Sequence, residues 1–148
     1  MDWIEIRWAG PYPIDSAPSM KPAGDFGIYA ICGVGRRPAY IGRTYWQTFG
    51  KRIRQHKREW LAKVKGQKRV YFGAVTLPKG KKISYERVAD IEQFLISECV
   101  PPYNTVSKKG YSGRDLLVIN TGKLAALPRL QSNNEDLIAL IRRVSRKS

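Results

Sequence analysis

Two glycine-containing triplets, spaced like the arms of a β-hairpin, constrain the fold of this chain most strongly. Gly27-Ile28-Tyr29 comes first and Tyr40-Ile41-Gly42 follows, so the two tyrosines lie eleven positions apart. The segment between the triplets contains three residues that favour turns: Gly33, Gly35 and Pro38. We predict two paired strands, over residues 27–33 and 39–42, that hold both phenols at fixed positions on one small sheet.

The rest of the chain alternates strand-like and helix-like patterns, which predicts a mixed α and β fold. Strands are expected at residues 3–8, 69–77 and 116–119, and helices at residues 47–64 and 133–144. Another helix is expected to begin at Ser84, a good N-cap with Arg87 three positions later, and to end before Pro101-Pro102. A Pro- and Ser-rich connector is expected over residues 10–24.

Net charge is the strongest compositional indication of a partner. Lys and Arg number 27 against 12 Asp and Glu, which gives a net charge of +15. A small domain this basic repels itself unless a polyanion binds it, and nucleic acid is the commonest polyanion. No amphipathic helix stands free of a core role, which argues against a membrane surface. The alternative is a surface whose charges are only solvated.

The chain carries no sign of export or of a membrane span. No stretch approaches 18 consecutive apolar residues, and the N-terminus lacks the basic start and apolar core of a signal peptide. The two cysteines, Cys32 and Cys99, lie in apolar runs and are too few for a disulfide framework. We interpret them as reduced core residues and expect a cytoplasmic protein.

The helix that follows Ser84 carries one charged residue on its apolar stripe, Glu92. The other stripe members are Tyr85, Val88, Ala89, Leu95, Ile96 and Cys99. Burying an unpaired carboxylate costs several kcal/mol, so Glu92 needs a cation, a metal or access to solvent. One interpretation is a glutamate at the helix edge that pairs with an arginine. The other is a carboxylate at the rim of a cleft that holds a hard divalent ion such as Mg²⁺.

The first helix has a polar residue on its apolar stripe as well. His56 lies among Phe49, Ile53, Trp60 and Val64, and Arg52 precedes it by one turn on the same face. A lone histidine on such a face is more often a satisfied core residue than a functional one. The neighbouring guanidinium suits bidentate contact with a phosphate, which raises the interest of both residues.

Taken together, these residues resemble the GIY-YIG nuclease family, most closely its homing and restriction endonuclease branches. The two triplets match the family's name-giving triplets without substitution, and Arg52 and Glu92 look like its helix arginine and its metal-binding glutamate. His56 and Asn104 resemble a histidine and an asparagine of the same branches. The resemblance covers about residues 26–105. Residues 1–25 then form an N-terminal strand and connector, and residues 106–148 a C-terminal extension with a helix, all in a single domain.

The resemblance implies a small antiparallel three-stranded sheet flanked by helices, and a metal-dependent endonuclease that acts on DNA. By resemblance, Tyr29 activates the attacking water, Tyr40 orients the water or the phosphate, and Arg52 holds the phosphate. Glu92 binds one Mg²⁺ or Mn²⁺, His56 assists proton transfer, and Asn104 fixes the loop beside the metal. We expect DNA to contact these basic residues: Arg43, Lys51, Arg54, Lys57, Arg58, Lys81 and Lys82.

Two other functions remain open at this stage. One is a module of the same fold that binds nucleic acid with little or no cleavage, and the other is a nuclease that acts on RNA. No membrane and no small-molecule cofactor is expected. The protein is expected to be a monomer or a homodimer, with the strand at residues 3–8 as an edge for pairing between copies. Candidate determinants of specificity are the basic loop at residues 79–82, the basic tail at residues 142–147 and residues 107–114.

Overall fold

A six-stranded mixed sheet forms the centre of the computed structural model, and three α-helices pack around it. The structure describes residues 2–20, 24–35, 37–78, 81–105, 110–111, 113–123 and 126–147. The strands are β1 (Asp2–Pro13), β2 (Phe26–Cys32), β3 (Pro38–Tyr45), β4 (Arg69–Thr76), β5 (Leu116–Gly122) and β6 (Leu130–Ser132). The helices are α1 (Phe49–Glu59), α2 (Tyr85–Cys99) and α3 (Glu135–Lys147).

The predicted sheet of three antiparallel strands is wrong in size and in strand direction. The observed strand order is β3-β2-β4-β1-β5-β6, and β1 pairs antiparallel with β4 and parallel with β5. The predicted core survives as the antiparallel β3-β2-β4 portion of this larger sheet. The prediction failed because it left the N- and C-terminal segments outside the sheet. Both contribute strands to it, and the mixed α and β class is correct.

Strand β1 also corrects two smaller expectations. It lies inside the sheet with a partner on each side, so the strand predicted at residues 3–8 is not a free edge for dimer pairing. It continues into the predicted connector, because an irregularity between Ala9 and Tyr12 absorbs the Gly10-Pro11 step. Beyond that irregularity Tyr12 and Pro13 resume pairing with β4.

The predicted helices are present, but the residues at which they begin or end differ from the predicted ones. Helix α1 is shorter than the predicted span of residues 47–64, because a 3₁₀ turn precedes it and another follows it at Leu61–Lys63. Helix α2 begins as expected, since the Ser84 hydroxyl accepts the backbone N–H of Arg87 at 3.1 Å. Among the described residues, no helix combines the length and apolar character needed to cross a membrane.

Helices α1 and α2 cover opposite faces of the sheet at β2 and β3. Successive residues of a strand point to opposite faces, so β2 contributes to two separate cores. Ile28 and Ala30 belong to the cluster that contains the buried residues of α2. Tyr29 and Ile31 belong to the cluster that contains the buried residues of α1. Because β3 is an outer strand, side chains from the two helices can approach each other around its free edge.

The loop after α2 closes the outer edge of β3. The Asn104 side chain accepts the N–H of Ile41 at 2.9 Å and donates to the carbonyl of Ile41 at 2.8 Å. The Tyr103 N–H donates to the carbonyl of Ala39 at 3.0 Å, so the loop continues the ladder for one more step. Asn104 is only 4% exposed, and its amide satisfies two backbone groups that would otherwise lack protein partners.

We predict that Asn104→Ala lowers the free energy of unfolding by about 2–4 kcal/mol. Each backbone group left unsatisfied and buried costs about 1–3 kcal/mol, with partial relief where water enters. Chemical denaturation measures the change, and Thr105→Ala, at the exposed neighbouring position, is the matched control. Equal stability of the two variants would show that the Asn104 amide is not what holds the loop to β3.

Candidate active site

A pocket of about 410 Å³ lies at the outer edge of β3, between α1 and α2. Strand β3 contributes Tyr40 and Arg43, α1 contributes Arg52, and α2 contributes Glu92. Asn104 completes the wall beside β3. The fold therefore brings four of the six predicted catalytic residues, together with a predicted DNA-binding arginine, around a single cavity.

Glu92 is held by Arg43 through two hydrogen bonds. One carboxylate oxygen accepts the backbone N–H of Arg43 at 2.6 Å, and the other accepts Nη1 of its side chain at 2.8 Å. Burial raises the pKa of Glu92, and the Arg43 guanidinium opposes that shift. Of the two interpretations of Glu92, the arginine-paired one describes this state. The pair is nevertheless at a cavity wall, where the side chain of Glu92 remains 13% exposed.

Arg43 has a further donor that the pair with Glu92 does not use. Its Nε is buried, and among the described residues it has no hydrogen-bond partner. The guanidinium carbon lies 5.0 Å from the centre of the Tyr85 ring, a cation–π contact. An arginine with an unused donor beside a cavity is suited to an anionic ligand that supplies an acceptor.

Arg52 and Tyr40 meet on the other side of the pocket. Nη2 of Arg52 donates to the Tyr40 hydroxyl at 3.3 Å, and Nη1 donates to the Gln55 carbonyl oxygen at 3.1 Å. Neither partner of Arg52 in these contacts carries a negative charge. Its positive charge is therefore available to a phosphate in the pocket, whereas that of Arg43 is largely balanced by Glu92.

Tyr29 lies behind the pocket rather than in its wall. Its side chain is fully buried, at 0% exposure, with its ring stacked 6.0 Å from the Tyr40 ring. Burial and the neighbouring Tyr40 raise the pKa of Tyr29 well above its usual value, although Arg52 opposes this. A Cβ atom at Gly42 would approach the Tyr29 hydroxyl to 2.6 Å, so this position of the second triplet leaves no room for a side chain.

His56 connects Tyr29 to Trp60. The indole N–H of Trp60 can only donate, and it lies 2.9 Å from Nδ1 of His56, which must accept. Burial and the charge of Arg52 lower the pKa of His56 to about 4, so the ring is neutral at pH 7. Its proton is then on Nε2, which donates to the Tyr29 hydroxyl at 2.9 Å. In this state Nε2 is a donor to Tyr29 rather than a base that accepts its proton.

Two aromatic residues of this site were not singled out as functional from the sequence. Trp60 stacks on Tyr40 at 5.0 Å between ring centres, and Tyr103 stacks on Trp60 at 4.9 Å. Trp60 had been placed on the apolar stripe of α1, four residues after His56. At that spacing side chains touch, so the indole could have been named from the sequence as a histidine partner. Tyr103 carries no comparable local signal.

The predicted DNA-binding residues separate into groups. On α1, Lys51, Arg54 and Arg58 lie on one exposed face, as their i, i+3 and i+7 spacing requires, and Lys57 lies beside Arg54 on the side away from Arg52. Lys57 forms an ion pair with Asp15. Lys81 and Lys82 are exposed before α2. Of the candidate specificity segments, residues 79–80, 107–109 and 112 lie outside the described residues.

The pocket offers one carboxylate for a metal ion among its described lining residues, Glu92. The described part of the chain contains no group of three or more His, Cys, Asp or Glu side chains placed to share an ion. Mg²⁺ often takes only one or two protein carboxylates and completes its shell with water and substrate phosphates. A single Glu92 beside a phosphate site fits this coordination preference of Mg²⁺, provided that Arg43 releases the carboxylate oxygen to which it donates. The Asn104 amide does not fit, because Ile41 already uses both of its ends.

Comparison with known proteins adds no relative. No family model, no curated protein and no solved structure matches the chain. The resemblance to GIY-YIG nucleases therefore depends on the residues of the two triplets, Arg52 and Glu92 and on how the fold arranges them.

We predict that Trp60→Phe changes the tautomer of His56. Phenylalanine retains an aromatic ring against Tyr40 but removes the N–H that occupies Nδ1, so the proton is no longer confined to Nε2. His56 is the only histidine in the chain, so ¹⁵N NMR of the imidazole reports it without assignment. The wild type is expected to show a protonated Nε2 and to titrate near pH 4.

Lys51→Ala is the matched control, since it alters an exposed residue of the same helix that is not a neighbour of the imidazole. It is expected to leave both ¹⁵N signals in place. A wild-type imidazole protonated on Nδ1, or one that titrates near pH 6.5, would contradict the hydrogen-bond directions given above.

Proposed function

We propose that this chain is a metal-dependent endonuclease of the GIY-YIG type that hydrolyses phosphodiester bonds in DNA. The observation that carries the proposal is the convergence of Tyr40, Arg52 and Glu92 on one pocket, with Tyr29 directly behind it. Phosphodiester hydrolysis needs an activated water, stabilisation of the added negative charge and stabilisation of the leaving oxygen, and a phenol, a guanidinium without an acidic partner and a carboxylate that holds a metal ion are suited to these three tasks.

Arg52 is assigned to the scissile phosphate. Attack by water adds negative charge to the phosphoryl oxygens, and a fixed guanidinium stabilises that charge at no cost in reorganisation. The hydrogen bonds of Arg52 to Tyr40 and Gln55 hold its plane in position before substrate arrives. Arg43 is a second candidate for phosphate contact, since its side chain lines the same pocket and is 30% exposed.

The phenol assigned to the attacking water is Tyr40. The sequence led us to expect Tyr29 in this role, but Tyr29 has no exposed surface and a pKa raised by burial. Tyr40 lines the cavity and receives a hydrogen bond from Arg52 at 3.3 Å. Tyr29 then acts indirectly, through its ring contact with Tyr40 and its hydrogen bond from His56.

Glu92 is assigned to one Mg²⁺ or Mn²⁺ ion. When bound, such an ion supplies positive charge that stabilises the leaving oxygen. Because Glu92 and Arg43 are paired, binding of the ion requires that Nη1 of Arg43 turn away from the carboxylate. An incoming phosphate favours this, since it offers the arginine an equivalent anionic partner.

The pair between Glu92 and Arg43 also favours a second candidate function. A module that binds nucleic acid without cutting it would keep Arg52 and the basic face of α1 but would leave Glu92 permanently paired. The net charge of +15 is suited to DNA and RNA equally. We place the protein in the cytoplasm, where the two free thiols would remain reduced.

We predict that Glu92→Gln abolishes nicking of supercoiled plasmid in Mg²⁺ or Mn²⁺ while DNA affinity stays equal or rises. The substitution keeps the shape of the side chain and removes the negative charge that a cation needs and that repels phosphate. Gel-based nicking and fluorescence anisotropy, each with and without a chelator, measure the two effects.

Glu98→Gln on the same helix is the control, because Glu98 does not line this pocket. It is expected to cut as the wild type does. Cleavage by Glu92→Gln would remove the metal role from Glu92, and a wild type that binds DNA but never nicks it would establish the binding module instead.

We predict that Tyr40→Phe lowers the cleavage rate about 10²–10⁴-fold, the range for loss of a general base. Tyr29→Phe keeps the buried ring and loses one hydrogen bond, so its effect is expected to be about tenfold.

Single-turnover rates test this, with Tyr45→Phe as the control because Tyr45 is an exposed phenol at the rim of the same pocket. A larger loss for Tyr29→Phe than for Tyr40→Phe would return the water-activating role to Tyr29.

A further inference from the structure

A second pocket, of about 470 Å³, adjoins the candidate active site and belongs to none of the functions assigned above. Ala39 lines this second pocket while Tyr40, the next residue of β3, lines the first. On the closing loop, Tyr103 lines the second pocket and Asn104 lines the first. The two cavities are therefore neighbours along one edge of the sheet, separated by the width of a residue.

Three cations and no carboxylate belong to the described lining of the second pocket. The cations are Arg37, Lys63 and Lys65, and all three side chains are exposed. They come from two separate segments, the β2–β3 hairpin and the chain that follows α1. Three convergent positive charges at a concave surface raise the local concentration of anions.

The pocket is built by a close approach of those two segments. The Val34 N–H donates to the carbonyl of Lys65 at 3.0 Å, which ties the hairpin to the segment after α1. A Cβ atom at Gly33 would lie 2.3 Å from Val64, so only glycine permits the contact. The cavity thus exists before any ligand binds.

Apolar groups accompany the cations. Val64, Ala39, Val100 and Pro102 line the cavity together with the ring of Tyr103. Tyr103 stacks on Trp60, and Trp60 stacks on Tyr40, so a continuous column of rings joins the two pockets. Apolar and aromatic surface beside positive charge suits a nucleotide, which presents a flat base and an anionic phosphate.

We propose that this second pocket binds an unpaired nucleotide of the strand whose neighbouring phosphate occupies the candidate active site. The proposal rests on the proposed function and specifies its substrate class. A base inside a duplex is paired and stacked on both sides, and it enters a concave pocket only after leaving the stack. The preferred substrate is therefore DNA with an unpaired segment next to the bond that is cut, as at an overhang or a branch.

The spacing of the cations agrees with one continuous strand. Arg37 lies three residues before Tyr40 in the hairpin that enters β3, which corresponds to about 10 Å of extended chain. A DNA strand that leaves the first pocket thus meets Arg37 within one or two nucleotides. Lys63 and Lys65 lie on the segment that the hairpin touches, across the pocket from β3.

Binding of two probes tests the proposal without reference to cleavage. One probe is a short blunt duplex, and the other is the same duplex with a short oligothymidine overhang. Both are measured by fluorescence anisotropy in the presence of a chelator. The combined variant Arg37→Gln, Lys63→Gln, Lys65→Gln removes the three cations. A charge-matched control, Arg142→Gln, Arg143→Gln, Arg146→Gln, removes three exposed cations of α3 that line neither pocket.

The wild type is expected to bind the overhang probe about tenfold or more tightly than the blunt probe, the gain from one stacked base. The pocket variant is expected to bind both probes equally, and its salt slope for the overhang probe should fall by about 2. The control variant is expected to weaken binding of both probes to a similar extent and to keep the tenfold ratio. Circular dichroism melting confirms that both variants are folded.

Equal wild-type affinity for the two probes, or a preference that survives in the pocket variant, would overturn the proposal. The same measurement separates this failure from that of the proposed function. A wild type that nicks plasmid but shows no overhang preference rejects the second pocket alone. An overhang preference that depends on the three cations in a protein that never nicks rejects the endonuclease alone.

Discussion

The position of β3 at the outside of the sheet is the constraint on which the rest of the structure depends. Helices α1 and α2 pack on opposite faces, and side chains from both can meet only where no further strand intervenes. An open edge normally exposes unpaired backbone groups and invites another chain to pair with it. Here the Asn104 amide bonds both polar groups of Ile41, so the edge is closed without filling the space that the pocket occupies.

Behind the pocket, hydrogen bonding keeps a buried polar column neutral. Trp60 can only donate, so it fixes the proton of His56 on the nitrogen that faces Tyr29. A charged imidazole beside Arg52 would be unfavourable in this buried position, and the low pKa of His56 follows from that. The column gives Tyr40 a rigid aromatic support, with Tyr29 on one side and Trp60 on the other. A rigid support matters because small displacements of a reacting group reduce the rate sharply.

In front of the column, the pocket holds two guanidinium groups and one carboxylate. Their pairing leaves Arg52 as the cation free for a phosphate, while Arg43 occupies the oxygen that a metal ion would need. In the proposed function, substrate and ion would therefore act on the same contact, since a phosphate would draw Arg43 away from Glu92. The neighbouring basic pocket extends this charge along the strand direction, and together the two cavities form a surface suited to one anionic chain.

Local sequence patterns determined which segments form strands and helices and which residues are candidates for the proposed chemistry. The apolar stripes of α1 and α2 repeat with the helical period, and the two triplets and the cap at Ser84 are short local motifs. Each of these signals can be recognised within a few residues of sequence. Only the tertiary structure decided which strands pair. Strands β1 and β5 are far apart in sequence. The alternation of their side chains indicates that each lies in a sheet, but it does not indicate which strand pairs with which. For the same reason, the sequence did not show that Tyr29 is buried while Tyr40 lines the pocket. The burial of each phenol depends on how the helices pack against the sheet. The position of Glu92 on an apolar stripe likewise indicated that it needs a partner. The identity of that partner, Arg43, depends on how α2 lies against β3.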